Sequence, residues 1–271
     1  MLKDITIGQY YPNASIIHCL DPRFKLLTLI AFIVSIFISS SFTSLLYLII
    51  VTFVLILLTK VPVLMYLKNL KSILPIIILT AILNVFYIAE GNVLFEWWVL
   101  RATDQGISRA AFMALRIIIL IISSAMLTYT TTPTQITDAL ESLLSPLKYI
   151  GLGSAVHTVA MIMTIALRFI PTLVDETNKL MNAQKARGAD FESGSIIKRV
   201  RALIPILIPL LISSVRRAGE LAEAMESKCY NTNSNRTRMK QLKFSGIDLI
   251  ATAVCIVGFA LVFVFNKFLA I

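Results

Sequence analysis

The feature that most constrains this chain is a set of apolar runs, each about as long as a helix needs to cross a bilayer. A hydrocarbon core of about 30 Å takes about 20 helical residues. Runs of that kind fall at 25–41, 43–59, 72–89, 107–130 and 245–266, with a sixth at 152–174. Hydrophobic residues make up 57% of the 271, and charged ones only 15%. A single water-soluble core of this size does not absorb that surplus, so the bilayer is the expected solvent.

The positive-inside rule sets the direction of the spans. Arg23 and Lys25 precede the first run, and Lys60, Lys68 and Lys71 lie between the second and third. Both places belong in the cytoplasm. The loop from Glu90 to Gly106 carries Glu90, Glu96 and Asp104 against Arg101 alone, so it belongs outside, with Trp97 and Trp98 at the interface. Span four then returns the chain to the cytoplasm near Thr131. A full crossing by 152–174 would carry the basic stretch Lys179–Arg217 outside, against the rule. The expectation is five spans, with 152–174 dipping into the membrane or packing beneath it. The N-terminus is inside, the C-terminus outside, and the first span serves as the insertion signal.

Net charge is +10, and 14 of the 25 basic residues lie between Arg168 and Lys243, interleaved with seven acids. That is the pattern of a partly solvated cytoplasmic region. Nucleic-acid binding is not indicated, since zinc spacing and aromatic-rich basic strands are both missing. Cys19, Cys229 and Cys255 are scattered and never in C-x-x-C spacing, which points neither to a disulfide framework nor to a metal site. No bound cofactor is expected.

Residues 131–243 form a module rather than a loop. Thr132-Pro133-Thr134 starts a helix, with Ile136, Leu140, Leu143 and Leu144 on one side and Asp138 and Glu141 opposite. Ser145-Pro146 and Gly151-Leu152-Gly153 break it; the latter is too short a fragment for a dinucleotide loop. A helix is expected after Pro171, ending in Ala186-Arg187-Gly188, where the glycine can take the left-handed cap position. A second long helix is expected from Ser195 to about Tyr230, bent by Pro205 and Pro209. Its small residues Ala218, Gly219 and Ala222 would allow a close helix crossing, and Arg216, Glu220 and Glu223 mark a solvated face. It ends in Ser227-Lys228-Cys229, followed by a polar linker, Asn231–Asn235. A basic residue at a helix C-terminus can simply offset the dipole, and on spacing alone that plain explanation is favoured.

Three motifs change the balance. The first is Ser15-x-x-His18-x-Leu20-Asp21-Pro22-Arg23-x-Lys25-Leu26-Leu27. The second is Arg168-Phe169-Ile170-Pro171, then Glu176, then Ala183-Gln184-Lys185-Ala186-Arg187-Gly188-Ala189-Asp190. The third joins Pro205 and Pro209 to Arg216-Arg217-Ala218-x-Glu220-Leu221-Ala222-x-Ala224-Met225-Glu226. In this order, over nearly the whole chain, they resemble the transmembrane T components of energy-coupling factor vitamin transporters.

The resemblance implies an all-α membrane protein with crossed cytoplasmic coupling helices, divided as 1–130 (four spans), 131–243 (coupling module) and 244–271 (last span). It implies two P-loop ATPase subunits and a small substrate-binding membrane subunit as partners. Arg187 and Lys228 would anchor the helix ends in grooves on the ATPases, while Asp21, Pro22, Arg23, Pro171, Pro205 and Pro209 would be structural. One departure stands out. Where the family repeats Ala-Arg-Gly, this chain has Ser227, Lys228 and Cys229, losing the planar guanidinium fork and the easy left-handed cap.

Two other readings have less to support them. A membrane enzyme needs clustered carboxylates or histidines in a cavity, and the spans hold almost none. His18 is expected to cap or pack, His157 to pack, and Arg109 and Arg116 to snorkel or pair internally. A self-sufficient permease needs matching halves with broken helices, which this chain lacks. There is no G-x-x-x-x-G-K-[ST] loop, so ATP hydrolysis is left to partners.

Overall fold

The computed structural model describes residues 10–87, 93–97, 100–151, 153–191, 195–230 and 246–268. They are almost entirely helical: α1 Ile16–Cys19, α2 Pro22–Ile38, α3 Phe42–Thr59, α4 Val63–Tyr87, α5 Asp104–Thr130, α6 Pro133–Leu144, α7 Gly153–Ala186, α8 Ile196–Ser227 and α9 Gly246–Phe268. An antiparallel hairpin, β1 Val93–Trp97 with β2 Leu100–Thr103, occupies the loop expected outside the membrane. Trp98 and the linker 231–235 lie outside the described residues, as do Leu152 and Gly194.

By length and apolar composition alone, α3, α4, α5, α7, α8 and α9 could each cross a membrane. Four of these match expected spans. The 17-residue α2 matches the first. The difference lies in α7 and α8, which the sequence places in the cytoplasmic module. The run 152–174 is not a separate segment followed by a helix after Pro171. It is the first part of a 34-residue helix that passes through Pro171 unbroken. Proline removes one amide from the ladder, and the helical stretches on either side are long enough to propagate across that loss. α8 likewise runs through Pro205 and Pro209.

Two compact units emerge, Gly8–Ala139 with Gln241–Ile271, and Met1–Ile7 with Leu140–Lys240. One division falls inside α6, beyond the 130/131 boundary expected at the end of α5. A reciprocal capping box starts α6, Thr132 N–H donating to Gln135 Oε1 (3.0 Å) and Gln135 N–H to Thr132 Oγ1 (3.3 Å).

In the first unit, Ile36, Leu45, Leu48, Phe112, Ile119 and Val262 pack one core between α2, α3, α5 and α9. Ile56, Val61, Tyr66, Ala125 and Tyr129 pack a second. There the Tyr66 and Tyr129 rings meet edge to face at 5.2 Å. α2 and α9 run parallel, fastened at both ends. Asp21 N–H donates to Asp248 Oδ1 (2.9 Å) at the start. At the finish Asn266 Nδ2 donates to the Ile38 carbonyl (2.8 Å) while its oxygen accepts from Ser40 N–H (3.0 Å). Arg116 donates to the Ser39 carbonyl and lies over the Phe112 ring. The pairing is internal, within a helix long enough to cross a membrane, but Arg116 Nε stays buried without a hydrogen-bond partner among the described residues.

Candidate functional site

The ends of α7 and α8 share one geometry. At α7, Gly188 takes φ +86°, its N–H donating to the Lys185 carbonyl (3.0 Å), and Ala189 N–H donates to the Gln184 carbonyl (3.0 Å). This is the paired bond pattern of a Schellman cap, which satisfies carbonyls left open at the helix end. At α8, Cys229 takes φ +54°, its N–H donating to Glu226 (2.8 Å), and Tyr230 N–H donates to Met225 (2.9 Å). Position for position the caps are the same, and Arg187 and Lys228 each stand immediately before the left-handed residue, exposed. The loss of glycine at Cys229 therefore has not changed the backbone of the cap. It places a side chain in a conformation that costs a non-glycine residue roughly 1–2 kcal/mol.

Among the described residues, the hydrogen bond and ion pair between the two helices gather at one crossing. Glu176 on α7 accepts from Ser213 Oγ (2.5 Å) through Oε1 and pairs with Arg217 Nη2 (2.7 Å) through Oε2, both contacts reaching α8. Glu176 lies ten residues before Ala186, and Arg217 ten before Ser227, the last residues of the two helices. At 1.5 Å per residue the arms from the pair to the two caps are each about 15 Å long. The small-residue stripe does not form the crossing. Ala218, Gly219 and Ala222 are exposed, and a Cβ on Gly219 would meet nothing within 4 Å. A charged, half-buried pair joins the helices instead. At the other end of α7, His157 Nδ1 lies 3.0 Å from Glu141 Oε1, so the histidine expected to pack alone has a carboxylate partner.

The N-terminal motif clamps helix ends in the other unit. Asp21 caps α2, accepting from Arg23 N–H (2.9 Å), with Pro22 at the first helical position. Lys25 is buried and its ammonium donates to the His18 (3.1 Å) and Thr130 (3.0 Å) carbonyls, the latter at the C-terminus of α5. Tyr11 N–H donates to the Tyr129 carbonyl (3.0 Å), and Asn13 Nδ2 to the Lys60 carbonyl (2.9 Å) at the end of α3. His18 Nε2 lies 3.0 Å from the Tyr11 carbonyl, which can only accept, so Nε2 carries the proton and Nδ1 accepts from Ser15 Oγ (2.6 Å). Burial lowers the pKa of His18 below 6.5; the Tyr11 carbonyl opposes this and the nearby Lys25 charge adds to it. Together these bonds gather the start of α2 with the ends of α3 and α5. Asp248 brings the start of α9 to the same side.

The family described as cobalt transport protein, CbiQ, matches residues 13–239. The chain belongs to this family. Relatives named energy-coupling factor transporter transmembrane protein EcfT are 51% identical in Clostridium kluyveri and 48% identical in Ruminiclostridium cellulolyticum, each over 95% of both chains. The relative of that name in Bacillus subtilis is 40% identical over 97% of this chain and 98% of its own.

The region matched to the CbiQ family begins just before the N-terminal motif and ends after Cys229, so it contains both caps and the Glu176–Arg217 pair and stops short of α9. Each sequence-assigned residue now has a place. Asp21, Pro22 and Arg23 open α2, and Pro171, Pro205 and Pro209 lie inside α7 and α8. Ala186-Arg187-Gly188 and Ser227-Lys228-Cys229 terminate the same two helices. Sequence reasoning missed Asp248 and Asn266, which fasten α9, and the pairing of Glu176 with Arg217. An acid and an amide in a run otherwise apolar were the available signal for the first two.

Proposed function

We propose that this chain is the transmembrane coupling subunit of an energy-coupling factor transporter. It carries ATP-driven motion from two P-loop ATPase subunits to a small substrate-binding membrane subunit, for uptake of a micronutrient of the vitamin class. The observation that carries this reading is the pair of matching caps at equal distances from a single crossing. Each cap presents a cation in a fixed backbone frame, Arg187 as a planar fork suited to a carboxylate and Lys228 as a point charge. As two ATPases close on ATP, the caps are drawn together and the helices turn about Glu176, Ser213 and Arg217. The far arms then displace the membrane surface that holds the substrate subunit.

In this reading the N-terminus and the crossed helices are cytoplasmic, and α2, α3, α4, α5 and α9 span the membrane. The clamp that puts the starts of α2 and α9 on the side where α3 and α5 end supports that alternation. The charge rule chooses which side is the cytoplasm.

The test is gentle purification of the tagged chain from its native membrane, with mass spectrometry of what accompanies it. Two P-loop ATPases and one or more small hydrophobic proteins are expected. Arg187→Ala should weaken ATPase docking by about 2–5 kcal/mol, the cost of removing one partner of a buried charge pair. A chain that stays alone when candidate ATPases are supplied, or unchanged docking in Arg187→Ala, overturns the proposal.

A further inference from the structure

Counted from the crossing, the two arms differ in charge at matching positions. Lys179, Asn182 and Lys185 stand three, six and nine residues after Glu176. Glu220, Glu223 and Glu226 stand three, six and nine residues after Arg217. All six are exposed. Both arms are unbroken helix and end in the same cap, so equal offsets mean equal height and equal angle about each axis. One surface is thus built twice, with two lysines and an amide in one copy and three carboxylates in the other. Between Glu176 and Asp190 the chain has no acid, and between Arg217 and Lys228 no base.

Helix stability accounts for one face and not for the other. The C-terminus is the negative end of the helix dipole, which favours Lys185 and disfavours Glu226. Residues three apart on a helix are neighbours, so Glu223 has a like charge on either side. Arg216 stands four residues before Glu220, but Glu223 and Glu226 have no basic residue three or four positions away. A row of acids that its own helix disfavours is explained by cations on whatever covers it.

The cover follows from continuity. Each charged face ends two residues before Arg187 or Lys228, the cations that enter the ATPase grooves on the coupling reading. Two identical ATPases would offer both arms the same groove. A rim that attracts the carboxylates of α8 would meet lysines on α7, and like charges brought together are how an interface rejects a wrong partner.

We infer that the arms seat two different ATPases, the one on α8 carrying basic residues beside its groove, and that Lys179, Asn182 and Lys185 against Glu220, Glu223 and Glu226 decide which ATPase takes which arm. This rests on the coupling role proposed above and gives the assembly a fixed order.

The test uses the full-length chain in its native membrane, with a benzophenone amino acid at Ala183 or at Ala224. Both positions are exposed and lie four residues before the cap cation. Whatever is photocrosslinked is identified by mass spectrometry. Ala183 is expected to capture one ATPase and Ala224 another, each with a preference of at least about tenfold. Exchanging the two faces, by Lys179→Glu/Asn182→Glu/Lys185→Glu with Glu220→Lys/Glu223→Asn/Glu226→Lys, should reverse the preference. Glu220→Gln/Glu223→Gln/Glu226→Gln covers the case in which the exchanged chain does not assemble. It should lower the preference at Ala224 to about threefold or less and leave that at Ala183 unchanged.

One kind of ATPase captured at both positions overturns the inference, as does a preference at Ala224 that the glutamine variant leaves unchanged. Either result leaves the coupling role standing. Capture of no ATPase at either position overturns the coupling role, and this inference with it.

Discussion

The backbone amide of Asp21 donates to the carboxylate of Asp248 at 2.9 Å, joining two residues 227 positions apart where α2 and α9 begin. Asp248 is 2% exposed, so this acceptor is fully removed from water. Taking it away leaves a buried amide without its partner, which costs about 1–3 kcal/mol. Asp248→Ala should lower stability by that amount, measured as thermal unfolding in neutral detergent. Asp248→Asn retains an acceptor and should cost less. An Asp248→Ala chain that unfolds with the parent would show that the core of α9, not this bond, fixes its start.

Glu176 serves two donors on α8, and the pairing with Arg217 is half-exposed, so solvent screens part of its charge. A double-mutant cycle on Glu176→Gln and Arg217→Gln should return a coupling of about 1 kcal/mol. Its larger consequence is mechanical if the crossing is the pivot. Glu176→Ala should leave ATP hydrolysis by the assembled complex nearly unchanged while substrate uptake falls several-fold. Parallel loss of both activities would mean that the pair supports assembly rather than transmission.

His18 gives a pH dependence with a definite sign. Its folded-state pKa lies below the ordinary 6.5, chiefly through burial. The unfolded chain therefore binds a proton more readily than the folded one. The stability is fully present above pH 6.5 and is lost as pH falls below that value toward the lowered folded-state pKa. Protonation would also set a second cation near Lys25. The unfolding temperature should drop between pH 7.5 and 5.5, and His18→Gln should flatten that drop. An unchanged slope in the variant would assign the acid sensitivity to other groups.

Much of this was readable in the chain because apolar run length and lysine placement are local signals. The expected spans fall on α2, α3, α4, α5 and α9, and Gly188 announced its own left-handed cap. What stayed hidden depends on contacts between distant positions. Asp248 in its sequence neighbourhood is only an acid near a span, and its importance appears when Asp21 is beside it. The helix expected to follow Pro171 instead runs through it, because a proline's local cost is set against two long helical arms. The small-residue stripe at Ala218 and Gly219 suggested close packing, but periodicity names a face without naming what covers it. Even Cys229 was misleading, since residue type argues against a left-handed cap and the neighbouring hydrogen bonds impose one.

That imposition can be tested at the two caps together. Gly188 and Cys229 hold the same cap position with φ +86° and +54°. Only the cysteine bears a Cβ there, at roughly 1–2 kcal/mol. Glycine also gains more freedom on unfolding, which offsets part of the relief. Cys229→Gly should therefore stabilise the end of α8 by about 0.5–1 kcal/mol, seen as slower hydrogen exchange at the amides of residues 229 and 230. Gly188→Ala should do the reverse at α7. The space around Gly188 is open, so the whole cost there is conformational. If Lys228 acts through the frame its cap provides, Cys229→Gly keeps or strengthens docking at that end, and Gly188→Ala weakens it at the other. A Cys229→Gly chain whose cap exchanges faster would mean that the thiol itself, and not the backbone it strains, holds the end of α8 in place.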